Sequence, residues 1–379
     1  MTSELSSLCS YAKGKVSVDT LSKRNYVSTE NMMPNKGGIV DAGALPSAQY
    51  TQQYIKDDIL VSNIRPYFKK IWMADDDGGC SNDVLVFRAD RGCDSTFLYY
   101  ILANDAFFNY ASATSKGTKM PRGDKTAIMQ YKVPCFNYET QLRIGKLLRS
   151  IDDRIAVNKK INDNLQQQLF SLYENMATAS PCLKEYALSN LCDFQEGYVN
   201  PPQIHPEYFD GEVKWLRAVD INESFIIETS RTLTKAGFES AKKSALLFEP
   251  NTIAISKSGT IGRLGIIADY MCGNRAVINI APHDTNMLAF IYCFLKSKQR
   301  EFPDMAVGSV QKNLYVSLLE PLSVSIPDNE SLTAFNAVGA SILGMIHNNC
   351  VENTDLANLR DTILPKLMSG EIDVSSVHL

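Results

Sequence analysis

The 379-residue chain carries one unit written twice, and any fold it adopts must accommodate both copies. Residues 5–16 return as residues 188–199, with Leu5/Leu188, Ser6/Ser189, Leu8/Leu191, Cys9/Cys192, Gly14/Gly197 and Val16/Val199 identical. Residues 58–62 and 251–256 share a short apolar run entered from a turn, which predicts a strand in each copy. Residues 97–102 match residues 290–295 in a pattern that predicts a helix packed on a sheet, and Val133-Pro134 matches Ile326-Pro327. The offset drifts from 183 at Leu5/Leu188 to 193 at Phe97/Phe290, as happens when two copies of one fold differ in loop length.

After each of these proline-containing strands the period changes to that of a helix, with Asn137 and Asp328 as candidate N-caps and Glu139 and Glu330 in the first turns. The first stripe runs Leu148, Ile151, Ile155, Asn158, Asn162, Leu165, Leu169, Leu172, Met176. The second runs Phe335, Val338, Ile342, Met345, Asn349, Glu352, Leu356, Leu359, Ile363. Spacings of three and four held this long are a coiled-coil seam. The seams align at one offset: Ile151 with Ile342, Asn158 with Asn349, Leu165 with Leu356, Leu172 with Ile363. Asparagine in a seam costs stability but fixes register, so a repeated Asn predicts that the two helices pair with each other.

The expected fold is therefore α+β, with two similar globular units held apart by two long antiparallel heptad helices in a pseudo-two-fold arrangement. The expected division is 1–137 for the first unit, 138–178 for a central spacer helix of roughly 60 Å, 179–328 for the second unit and 329–379 for a C-terminal helix that pairs with the central one. The second unit begins at once after the helix, around Ala179, Ser180 and Pro181.

Composition sets the function classes. Apolar residues at 45% and charged ones at 21% describe an ordinary globular protein, with no window long and apolar enough to span a membrane and no leader pattern, which predicts a cytoplasmic protein. Nine scattered cysteines never form C-x-x-C, and only four histidines are present, so reduced thiols and no metal are expected. A net charge of −4 runs against a nucleic-acid binder, since neutralising phosphate takes Lys and Arg. Locally the balance reverses. Lys116, Lys119, Arg122, Lys125 and Lys132 face only Asp124 between residues 115 and 132.

Three stretches carry a family resemblance: residues 211–221, opening Gly211-Glu212-Val213-Lys214-Trp215-Leu216; residues 255–265, from Ile255-Ser256-Lys257-Ser258-Gly259; and the end, residues 356–372, with Leu364-Pro365-Lys366-Leu367-Met368-Ser369-Gly370. In these the chain resembles the specificity subunit of type I restriction-modification systems over essentially its full length. The resemblance implies two target-recognition domains that read a bipartite site on double-stranded DNA, and no catalysis or cofactor in this chain. It also implies assembly with two modification (methyltransferase) subunits, where S-adenosylmethionine is expected, and with restriction subunits. Two departures stand out. Residues 64–70 (Ile64-Arg65-Pro66-Tyr67-Phe68-Lys69-Lys70) occupy the place of the second copy's glycine-rich run, and the first helix lacks the Leu-Pro-Lys-Leu ending.

Other chemistries leave traces in the sequence. Asn200-Pro201-Pro202-Gln203 is similar to the Asn-Pro-Pro-aromatic motif of amino-methyltransferases but lacks the aromatic, and reads as a turn. Asp193, Glu212 and Lys214 mimic a metal-dependent nuclease set, although the repeat has Ser10 in place of Asp193. Residues 259–265 lack the Gly-Lys-Ser/Thr ending of a phosphate loop and read as a turn between strands. A structural adaptor and a self-contained methyltransferase are the rival functions. The candidate DNA-contact residues are Arg65, Lys69, Lys70, Lys116, Lys119 and Arg122 in the first unit, and Lys257, Arg263, Gln311, Lys312 and Asn313 in the second. Arg suits guanine, Asn and Gln suit adenine, and Lys suits phosphate.

Overall fold

In the strand Ile59–Ser62 every side chain is buried, because the sheet it belongs to is covered on both faces. Ile59 and Val61 point to one core with Leu85 and Phe87, while Leu60 points to another with Val84 and Val86. That is the period of two expected of a strand. Truncating such a residue to Ala costs about 2–5 kcal/mol.

The computed structural model describes residues 2–179, 184–309 and 311–374. The chain divides into two compact units, one made of Met1–Arg154 with Leu356–Leu379 and the other of Ile155–Asp355. Each unit thus includes part of both long helices, unlike the four-part division expected from sequence. The junction expected at Ser180 and Pro181, and Cys182 with it, lies outside the described residues. None of the eight described cysteines is in a disulfide.

In the first unit the central sheet is antiparallel, in the order Cys9–Tyr11, Val84–Ala89, Ile59–Ser62, Ile71–Met73. The helix Ser95–Ala103 lies on it through Phe97, Leu98, Ile101 and Leu102, and starts on the Asp94 side chain, which accepts from the Phe97 amide. A second sheet, Lys15–Ser17, Tyr50–Tyr54, Gly78–Cys80, Tyr26–Val27, belongs to the same unit. The other unit repeats the plan. Its sheet runs Cys192–Glu196, Val277–Pro282, Ile253–Ser256, Leu264–Ile267, Phe225–Ile226, with the helix Leu288–Lys298 on it and the smaller sheet Thr232–Leu233, Phe209–Leu216, Cys272–Gly273 beside it. Most of each repeated string falls in equivalent elements, as with Cys9–Tyr11 and Cys192–Glu196 or Ile59–Ser62 and Ile253–Ser256, but Val16 lies in a strand and Val199 does not, and Pro134 ends its strand while Pro327 follows its own.

The long helices span Tyr138–Ala179 and Asn329–Ser369. Asn137 caps the first through the Thr140 amide (2.8 Å) and Asp328 the second through the Ser331 amide (2.9 Å). Their pairing is antiparallel. Asn158 donates to Asn353 Oδ1 (3.0 Å) and to Glu352 (2.9 Å), while Asn349 donates to Asn162 Oδ1 (2.8 Å), so numbering rises along one helix as it falls along the other.

The expected seam is met only in part. Ile151, Asn158 and Ile342 are buried, and Leu165, Asn349, Leu356 and Ile363 are half-buried. Leu172, at 42% exposure, is outside it, as are Val338, Met345 and Leu359. Leu169 is buried as the stripe expects, but Tyr173 is buried in place of Leu172, edge-on to Phe290 and Phe335. Two causes act together. A straight helix drifts by about 20° per heptad against a strict seven-residue repeat. Each helix also packs on a globular core as well as on its partner: a Cβ at Gly339 would lie 2.6 Å from Ala289 Cβ, so the second helix approaches Leu288–Lys298 closely.

Candidate nucleic-acid interface

Each unit brings two loops together through main-chain hydrogen bonds, and nearly all the candidate residues sit on these loops. In the first unit the strands Ile59–Ser62 and Ile71–Met73 are joined by a hairpin tip, residues 63–70, carrying Arg65, Lys69 and Lys70. The second loop is closed by a pair of bonds, Lys116 amide to Arg122 carbonyl (2.8 Å) and the reverse (2.9 Å), with Gly117 at φ +95° inside it. The amides of Gly123 and Arg65 tie the two loops together, donating to the carbonyls of Asn63 (3.1 Å) and Pro121 (2.8 Å).

The second unit repeats this joint. Ile253–Ser256 and Leu264–Ile267 are joined by the tip that carries Lys257 and Arg263. Val307 and Asn313 exchange amide-to-carbonyl bonds (3.0 and 2.9 Å), enclosing Gly308, Gln311 and Lys312. The Leu314 amide donates to the Lys257 carbonyl (2.9 Å), as Gly123 does to Asn63. Gly308 is required: its φ is +141°, and a Cβ would meet the Gln311 carbonyl oxygen at 2.2 Å.

The charged groups differ in how far they are engaged. Lys69 and Lys36 both pair with Asp105 (2.8 and 2.9 Å), Arg122 with Asp83 (2.9 Å) and Lys116 with Asp124. Burial works against the Asp105 carboxylate, but the two ammonium groups outweigh it and hold its pKa below the ordinary range. Burial also lowers the Lys70 pKa, against the pull of Glu30, and its ammonium donates to the Thr29 carbonyl (2.6 Å). Lys119 has no partner among the described residues, and Arg65 Nε is buried without one. Lys36, Arg65, Lys69, Lys70, Lys116, Lys119 and Arg122 thus stand against Glu30, Asp83, Asp105 and Asp124, leaving positive charge in excess.

In the second unit Lys257 is engaged in holding structure. Its ammonium pairs with Glu196 (2.8 Å) and lies 4.7 Å from the centre of the Tyr315 ring. Among the described residues the side chains of Arg263, Gln311 and Lys312 have no partner, while the Asn313 amide donates to the Gln311 carbonyl (3.1 Å).

Residues 256–264 run from strand to antiparallel strand, with Gly259 and Gly262 at φ +76° and +86°, and so cannot cradle phosphate at a helix start. The nuclease-like set does not assemble: Asp193 pairs with His283, while Lys214 pairs with Asp269 and Glu228. No cluster of three metal-ligating side chains exists among the described residues. Residues 200–202 are irregular and lead into a turn at residues 203–204, closed by the His205 amide on the Pro202 carbonyl (3.2 Å), in which Gln203 accepts from Arg231. No helix among the described residues is long and apolar enough to cross a membrane.

Sequence reasoning missed the segment 34–37, whose Asn35 and Lys36 amides donate to the Phe68 and Lys69 carbonyls (2.8 Å each). The string Pro34-Asn35-Lys36-Gly37 was a turn signal, but nothing in it named its partner.

The family model for the type I restriction modification DNA specificity domain matches residues 1–167 and again 183–354, one match per copy of the repeat. The chain belongs to this family. It is a DNA-specificity subunit, the non-catalytic class of its system. Among relatives, the HindI specificity subunit of Haemophilus influenzae is 27% identical, covering 92% of this chain and 94% of its own length. The MjaIX specificity subunit of Methanocaldococcus jannaschii is 24% identical, covering 76% and 71%. The fold is like that of the crystallised S subunit of M. genitalium, with a TM-score of 0.54 at 18% identity, covering 97% of this chain and 96% of that one. Specificity subunits of this kind act with methylase and restriction subunits on DNA. The two family matches coincide with the two copies of the loop joint.

Proposed function

We propose that this specificity subunit reads a two-part DNA sequence, each unit contacting one half-site through its pair of bonded loops, and that it scaffolds two modification subunits and the restriction subunits around that site in the cytoplasm. The observation that carries the reading is the recurrence of one main-chain joint with different side chains. Arg65, Lys69, Lys70, Lys116, Lys119 and Arg122 occupy it in one unit, and Arg263, Gln311, Lys312 and Asn313 in the other. A common frame with unlike donors suits two different base strings. Lys257 serves this role through its carbonyl, which accepts from Leu314, with its ammonium already committed.

The paired helices are proposed to set the gap between the half-sites, with Ile151, Asn158, Leu165, Ile342, Asn349, Leu356 and Ile363 in the pairing face. Mapping methylated bases in the host genome tests the whole proposal. The expected result is a motif of two short specified strings separated by an unspecified gap, abolished by deletion of this chain. A single continuous motif, or methylation that persists without the chain, would overturn it. Adding one matched heptad to both helices is expected to lengthen the gap.

A further inference from the structure

We propose that Tyr67 and Phe68 form an aromatic wedge that inserts at a base step of the half-site read by the first unit, a contact the second unit does not make. The inference rests on the DNA-reading role proposed above. The two rings sit side by side, centroids 4.8 Å apart, yet Tyr67 is 51% and Phe68 39% exposed. About half of each aromatic side chain still faces water, so two such rings on one tip favour a partner that covers them.

The tip is braced. Arg65 and Lys69, on either side of the short 3-10 helix Pro66–Phe68, have φ of +50° and +52°. Asn35 and Lys36, whose amides hold the tip, have φ of +54° and +62°. Non-glycine residues in this region are strained and persist only where their surroundings enforce them. Four in contact keep the rings presented.

The surroundings identify the partner. The Lys70 ammonium lies 6.0 Å from the Phe68 ring centre, and the loop bonded to Arg65 carries Met120, 52% exposed, next to Lys119, which has no partner among the described residues. An apolar tip inside a positive rim fits a polyanion whose interior is a stack of flat π-faces, rather than an apolar protein groove. Apolar side chains that enter a base step must unstack it, and pyrimidine–purine steps yield most readily. The wedge therefore selects such a step. The second unit's tip has Ser258, Gly259, Thr260 and Ile261 at the same place and no aromatic ring.

The test uses the complex of this chain with its modification subunits and duplexes of the mapped motif, with 2-aminopurine placed in turn at each position. The first unit's half-site is the one whose selectivity Arg122→Ala relaxes and Lys312→Ala does not. Apart from the methylated bases themselves, which the modification subunits expel from the stack, the wild-type complex is expected to raise the fluorescence several-fold at one step of that half-site and nowhere in the other. Tyr67→Ala with Phe68→Ala is expected to abolish the rise and weaken binding by about ten- to a hundred-fold. Tyr67→Ser, which changes only the more exposed ring, is expected to lose part of both and supplies a second reading should the double variant fail to fold. No rise with wild type, or a rise retained by the variants, overturns the wedge. Binding untouched by Arg122→Ala and Lys312→Ala overturns the DNA-reading role itself, a separate outcome.

Discussion

Arg360 donates to Asp152 across 2.6 Å, tying the end of the second long helix to the first, and the same carboxylate accepts from the Tyr100 hydroxyl at 2.6 Å. Burial and the neighbouring carboxylate push the Tyr100 pKa far above its usual value, so the hydroxyl remains a donor. Three elements of the first unit thus meet on one side chain. Arg360→Ala leaves Asp152 half-buried with one donor fewer. The expected loss is about 1–2 kcal/mol, between the limits for exposed and fully buried pairs, read as a lower denaturant midpoint for this unit. Arg360→Lys is expected to restore only part, because a single ammonium does not reproduce the planar fork.

The asparagines between the helices make a second prediction. Asn158 pairs with Asn353, and Asn349 with Asn162. Asn162→Ala strands the Asn349 amide and is expected to destabilise the second unit by about 1–3 kcal/mol. Replacing Asn162 and Asn349 together by Leu is expected to recover that stability while relaxing register and partner number. Light scattering that shows one unchanged species for the double variant would contradict the register role.

On DNA, different residues of one surface are expected to fail differently. Lys119→Ala removes a cation with no protein partner among the described residues, so binding weakens evenly across sequences and the slope of log K against log salt falls by about 1. Arg122→Ala costs about 1–3 kcal/mol and relaxes selectivity at one position of one half-site. Titration of the assembled complex at several salt concentrations separates the two.

Acid is expected to loosen the second unit before its hydrophobic core is affected. Burial tends to raise the Glu196 pKa, but hydrogen bonds from Lys257 and Tyr198 outweigh it and hold it below its ordinary 4.5. A lowered folded-state pKa means that the stabilisation is complete above the ordinary value and is lost as pH falls from about 4.5 through the lowered one. Glu196→Gln is expected to flatten the dependence of stability on pH in that window. An unchanged slope would show that the pair contributes nothing.

Much of this was legible beforehand. The duplication, both long helices and their caps follow from Leu5/Leu188, the three-and-four stripes, Asn137 and Asp328, because periodicity and capping are local. The loops holding Lys116 to Arg122 and Gln311 to Asn313 were found through composition alone. The surroundings of Leu172 and Lys257 were hidden for a common reason. A heptad says nothing of which globular face competes for the helix, so the burial of Tyr173 against Phe290 in place of Leu172 was invisible. A lysine in a polar turn likewise looks free until Glu196 and Tyr315, far off in sequence, are folded beside it. The bracing of residues 65–69 by Asn35 and Lys36 is nonlocal in the same way.

The joint between the two loops of each unit is made almost wholly by amides and carbonyls: Gly123 to Asn63, Leu314 to Lys257. Apart from glycines such as Gly308, whose backbone admits no side chain, main-chain bonds are indifferent to the side chains on either strand. Substitution or recombination can therefore replace what those loops display and leave their geometry alone, as the unlike residues of the two copies illustrate within a single chain. Such a protein can acquire a new vocabulary one unit at a time while its grammar is inherited intact.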